Sequence, residues 1–149
     1  MAYQPQQRHS QGSRGGYEER QLIPIETSKI LLKNIDSDLF DGIARYVAEK
    51  IAENKNSNKP TQLRRFYDEI VMWESKATLN VDKFPEYLPI IKMLNAKTAY
   101  ALGRKLVDEN YVKLIGDCLK QVETASDMRH FKLFMEAFMG FYKEKRPKD

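Results

Sequence analysis

Two short blocks place basic side chains beside aromatic ones: TQLRRFYDEI from Thr61 to Ile70, and LPIIKMLNAKTAYALGRK from Leu88 to Lys105. Neither block holds a set of groups suited to covalent chemistry. What they offer is recognition, because guanidinium and ammonium groups bind phosphate and the planar Arg fork does so bidentately. The blocks therefore point to a module that binds an anionic polymer and partner subunits.

The catalytic alternatives fail on inventory. The histidines are His9 and His130, and neither has the partner spacing of a zinc or di-metal site, so no metal and no cofactor is expected. No serine or cysteine is expected to have a helical histidine neighbour as its base, since Ser126, four residues before His130, reads as a cap. Cys118 lies on an apolar stripe and reads as a core thiol. Asp68-Glu69 and Asp108-Glu109 are adjacent in sequence, so on a helix their side chains diverge and surface solvation accounts for them. The chain is read as a non-enzyme with no catalytic residue.

The elements that must position the basic residues are helical. Ser37 caps a first helix running to about Asn54, with Leu39, Ile43, Val47 and Ile51 as its apolar stripe. The polar NKNSNKP turn leads to a second helix from Thr61 to about Ala77. A third begins near Phe84 or Tyr87, since Pro85 and Pro89 suit a first turn, and runs to about Arg104. It is apolar almost all round, the mark of a central buried helix. Asp108 caps a fourth, from Tyr111 to about Val122, and Ser126 a fifth, which carries Phe131, Phe134, Met135, Phe138 and Tyr142 to about Lys145. No segment alternates with period two. The fold expected is all-α, a compact bundle of about five helices over residues 37–146.

Ahead of it, residues 1–20 are rich in Gln, Gly, Ser and Arg and read as a flexible arm; residues 21–36 are transitional, either extended or a short helix. The Ser13–Tyr17 stretch resembles the Arg-Gly tracts that associate with RNA, although a solubilising tail is the simpler account.

Bulk properties agree with this reading. The 149 residues suit one domain, and 42% are hydrophobic. Lys plus Arg number 25 against 21 acids, a formal charge of +4, too weak by itself to establish nucleic-acid binding. The distribution says more. Residues 80–106 hold Lys83, Lys92, Lys97, Arg104 and Lys105 against Asp82 and Glu86, whereas residues 34–60 are close to neutral. A single cysteine, no signal peptide and no apolar run long enough to span a bilayer lead to the expectation of a soluble, cytoplasmic protein.

Each basic residue has a bland reading beside the functional one. Arg64 and Arg65 precede Asp68 and Glu69 by four residues, which predicts two weak intrahelical ion pairs that leave both guanidinium groups available to phosphate. Lys97 and Arg104, seven apart, point nearly the same way among Ile90, Met93, Tyr100 and Ala101. They either snorkel from the edge of the bundle or mark a surface that meets RNA phosphates beside a protein partner. Gly103 permits close backbone approach or merely loosens the helix end.

At these residues the chain resembles the small subunit of the type III-A CRISPR interference complex, called Csm. Thr61-Gln62-Leu63-Arg64-Arg65-Phe66-Tyr67 is similar to that family's early element, and Ala96-Lys97-Thr98-Ala99-Tyr100-Ala101-Leu102-Gly103-Arg104 to its central one. The late aromatic helix, His130 to Lys143, is a third point of similarity, and the likeness covers roughly residues 37–145.

The resemblance implies a non-catalytic subunit of an RNA-guided antiviral effector complex. Copies of it line up along the backbone subunits and help to form the channel holding guide RNA and target RNA, while cleavage and signalling belong to the backbone and large subunits. By carry-over, Arg64, Arg65, Lys97 and Arg104 are RNA-facing or interface-facing candidates, with Lys92 and Lys105 as weaker ones. The expected partners are guide and target RNA, the backbone and large subunits and other copies of the chain, with no membrane. The alternative is a helical protein–protein adaptor with no direct RNA contact.

Overall fold

The computed structural model describes residues 22–148. The arm at residues 1–20, with His9 and the Arg-Gly stretch, lies outside them. Among the described residues the structure is all-helical, with no strand. A π-helical turn at Leu39–Ile43 leads into α1 (Ala44–Ala52). Then follow α2 (Pro60–Leu79), a 3-10 turn (Val81–Lys83), α3 (Phe84–Lys92), α4 (Leu94–Gly103), α5 (Glu109–Lys120) and α6 (Ala125–Lys145).

The helix starts follow from side-chain caps, not always the expected ones. Asp38, rather than Ser37, opens the first helical stretch by accepting from the N–H of Gly42 at 3.2 Å. A Cβ on Gly42 would sit 2.5 Å from the Asp38 carboxylate, so the cap requires glycine there. α2 begins one residue before Thr61, because Pro60 at its first position loses no hydrogen bond there. Asp108 caps α5 as expected, accepting from Tyr111 N–H at 3.0 Å. α6 starts with a capping box between Thr124 and Asp127 instead of at Ser126.

The expected third helix is two helices. Pro89 has no N–H for the preceding turn, and the helix is interrupted at Met93, whose N–H is shared between the carbonyls of Ile90 and Ile91. Nor is this segment central: Ile90, Met93 and Tyr100 are exposed. The hub is α6, which packs on α1, α2 and the π-helical turn. Its Met128, Phe131, Phe134, Met135, Phe138 and Tyr142 are buried, and the Phe138 and Tyr142 rings stack at 5.4 Å. An apolar composition all round α3–α4 reflected alanines and surface residues, not burial on every side.

Residues 22–33 run as an extended strap along one face of α5. Asn110, Lys113, Asp117 and Gln121 fall on that face at helical spacing and hold the strap, three of them through its backbone. Ile25 N–H donates to Asn110 Oδ1 at 3.0 Å, Asn110 Nδ2 to Ile23 O at 2.9 Å, and Lys113 Nζ to Ile25 O at 2.7 Å. Thr27 Oγ1 donates to Asp117 at 2.7 Å, while Gln121 takes Leu32 N–H and gives to Ile30 O. His130 Nδ1 faces the Leu32 carbonyl at 2.6 Å and donates to it. Ile25, Ile30 and Leu32 are thereby buried, worth about 1.5–3 kcal/mol each before the entropy of ordering the strap.

Candidate functional site

The two basic–aromatic blocks meet. α2 and α4 lie either side of an open groove of about 450 Å³, lined by Gln62, Arg65, Phe66 and Glu69 from α2, by Ala96, Lys97, Tyr100 and Ala101 from α4, and by Arg104 and Leu106 just beyond it. Helical spacing aligns each wall: residues 62, 65, 66 and 69 share a face, as do 97, 100, 101 and 104. Phe66 and Ala101 are buried and form the floor, while Arg65, Lys97, Tyr100 and Arg104 stand exposed on the walls.

The electrostatics differ from the simple i,i+4 expectation. Arg64 does pair with Asp68, at 3.1 Å, but both are open to water and the contact is worth only a few tenths of a kcal/mol. Arg65 does not pair with Glu69. The Glu69 carboxylate, 21% exposed, instead accepts from the Lys97 ammonium across the groove. Arg65 therefore has no carboxylate partner among the described residues. The Arg104 guanidinium lies over the Tyr100 ring, 5.9 Å from its centroid. Three cations thus line a groove that holds one carboxylate.

The remaining candidates are placed elsewhere. Arg64 is on the same helix but outside the groove lining. Lys92 is half-buried and its ammonium donates to the Leu119 carbonyl, capping the end of α5. Lys105 sits in the turn after α4 with φ of 61°. That turn is a Schellman motif: Lys105 N–H donates to Leu102 O at 2.9 Å, and Leu106 N–H to Ala101 O at 3.0 Å. The position demanding left-handed backbone is therefore Lys105 and not Gly103, beside which a Cβ would meet nothing.

Sequence reasoning missed Gln62 and Glu69 as groove residues. Their signal was available, since Gln62, Arg65, Phe66 and Glu69 follow i, i+3, i+4 and i+7, but nothing local told which face of α2 would meet α4.

The other groups weighed for chemistry are accounted for by packing, ion pairing, capping or solvent. Cys118 is fully buried, and burial pushes its thiol well above the ordinary value, away from thiolate reactivity. Asp68 and Glu69 diverge to different partners, and Asp108 is used as a cap while Glu109 is exposed. Among the described residues no group of three or more His, Cys, Asp or Glu could hold a metal ion, and no helix is long and apolar enough to cross a membrane.

Residues 36–148 match the Csm2 Type III-A family. The chain belongs to that family. The match takes in the whole helical bundle and both walls of the groove, and leaves the strap before residue 36 outside it. Membership makes the chain a Csm2-type small subunit of the type III-A CRISPR complex. No curated protein and no solved structure gives a significant match.

Proposed function

We propose that this Csm2-family chain is a non-catalytic subunit that helps form the channel for guide RNA and target RNA, through sequence-independent contacts to the RNA backbone and through subunit packing. The observation that carries the reading is the convergence of Arg65, Lys97 and Arg104 on one groove between α2 and α4. Cations on rigid helices neutralise phosphate without reading bases, which suits a complex in which base pairing supplies the sequence recognition. Arg64 and Lys105, exposed next to the lining residues Arg65 and Arg104, add weaker phosphate contacts. Lys92 is proposed only as an interface residue, since its ammonium is engaged by α5. Backbone subunits, the large subunit and further copies pack on the sides of the bundle, in the cytoplasm. The exposed Leu79, Val81, Ile90 and Met93 are natural contacts there.

The test is replacement of Lys97 and Arg104 together by Ala in the full chain. RNA binding should weaken several-fold at low salt and its salt dependence should flatten, with the far-UV circular dichroism and Tm unchanged. Unchanged affinity in the folded double variant would remove the groove from RNA binding. The adaptor reading would follow if the wild-type chain also co-purified with protein partners but no RNA.

A further inference from the structure

Tyr100 is 69% exposed, the most open aromatic side chain among the described residues. It is also the one exposed aromatic of the groove lining, alongside Arg65, Lys97 and Arg104. Phosphate neutralisation gives no reason for a ring there, since cations alone suffice. A core role gives none either, because the other aromatic of the lining, Phe66, is buried and supplies the floor.

We propose that Tyr100 is a stacking platform for an unpaired nucleobase, so that the groove takes single-stranded RNA in preference to a closed duplex. The inference rests on the RNA reading of the groove and adds the class of RNA. In an intact duplex both faces of every internal base are covered by its neighbours, so an exposed ring has nothing to stack on. An unstacked base offers its face, and aromatic stacking next to a basic track is how sequence-tolerant single-strand sites hold their ligand. Arg104 strengthens the arrangement. Its guanidinium lies over the Tyr100 ring at 5.9 Å, so a planar cation and an aromatic face stand at the same end of the groove. The opening of about 450 Å³ is of nucleotide scale. Glu69, the one carboxylate, is engaged by Lys97. Charge also selects the occupant: a guanidinium lies over the ring and three cations line the groove against one carboxylate, which favours a polyanion over an apolar protein surface.

The experiment uses the full-length chain and a short single-stranded RNA carrying 2-aminopurine, with the blunt duplex of the same sequence as comparison. Binding should quench the 2-aminopurine through stacking, and the single strand should bind more tightly than the duplex. Tyr100→Ala should weaken single-strand binding by about ten-fold or more and abolish the quench, whereas Tyr100→Phe should retain both. The proposal is overturned if Tyr100→Ala binds and quenches like the wild type while Arg65→Ala or Arg104→Ala loses affinity. In that case the groove holds phosphate alone and the RNA reading survives. Loss of assembly with partner subunits, with RNA binding and quenching intact in Tyr100→Ala, also overturns it and makes Tyr100 a protein contact. If neither arginine variant changes affinity, the RNA reading of the groove fails first.

Discussion

The Lys97 ammonium on α4, a helix with no carboxylate of its own, binds the Glu69 carboxylate on α2, a partner 28 residues away in sequence. This one pair ties the two walls of the groove together. It also takes Glu69 away from Arg65, so the cation left without a carboxylate is Arg65, on the wall opposite Lys97. With Lys97 47% exposed, the pair contributes at most about 1 kcal/mol to stability. Its larger effect is on the charge the groove presents.

Removing that carboxylate therefore separates charge from fold. Glu69→Gln should leave stability within about 1 kcal/mol of the wild type. On the proposed reading it should tighten RNA binding several-fold, because Lys97 is released and the groove gains a unit of positive charge. Binding titrations over a range of salt concentrations test this: the logarithmic slope should steepen by about 0.7 for a single strand. An unchanged slope would mean that Lys97 does not meet phosphate.

The turn after α4 carries a lysine where left-handed backbone favours glycine. Lys105 has φ of 61° at the position of the Schellman motif usually held by Gly. Lys105→Gly relieves the Cβ clash but frees the unfolded chain, for a net stabilisation of about 0.5–1 kcal/mol. Urea denaturation should show the midpoint rising with no change in slope. A fall in the midpoint would mean that the lysine side chain makes contacts that outweigh the strain.

The C-terminal end of α6 is latched to the α1–α2 loop by Arg146. Its guanidinium is buried and donates to the Ser57 carbonyl at 2.6 Å, the Asn58 carbonyl at 3.0 Å and the Tyr142 hydroxyl at 3.0 Å. Arg146→Met leaves those acceptors without this donor and should destabilise the protein by about 2–4 kcal/mol. Tyr142→Phe removes only a hydroxyl and should cost about 1 kcal/mol. Equal effects of the two substitutions would show that the guanidinium's bonds to the Ser57 and Asn58 carbonyls add nothing beyond the hydroxyl's own contribution.

Acid should loosen the strap. Burial tends to raise the Asp127 carboxyl, but the Lys33 ammonium at 2.7 Å and the N–H groups of Glu123 and Thr124 outweigh it and hold the group below its ordinary value of 3.8. A carboxylate depressed in the folded state contributes stability that is present above the unfolded value and is lost as pH falls through the folded one. Wild-type stability should therefore drop as pH falls below about 4 more steeply than that of Asp127→Asn. Hydrogen exchange at Leu32 and Lys33 should accelerate over the same fall in pH. Lys33 is raised chiefly by its hydrogen bond to Asp127, so its contribution is present below its unfolded value and fades only at strongly alkaline pH. Parallel acid profiles for the wild type and Asp127→Asn would refute the assignment.

The sequence by itself determined the all-helical class, the Asp108 cap, the core stripe of α6 and the pairing of Arg64 with Asp68. Each of these follows from interactions within a turn or two of helix, where residue spacing fixes geometry. It also carried the family resemblance, because the order and spacing of the two blocks are local patterns. The tertiary structure decided the rest. Only packing could set α3 and α4 at the edge with α6 as hub, since a periodic apolar face says that it is buried but not against what. Only packing could send Glu69 to Lys97 and Lys92 to α5, because a long cationic side chain chooses among partners that the fold brings near from distant sequence. The groove is the joint product: each wall is written in the spacing of one helix, and the facing of the two walls is a property of the folded chain.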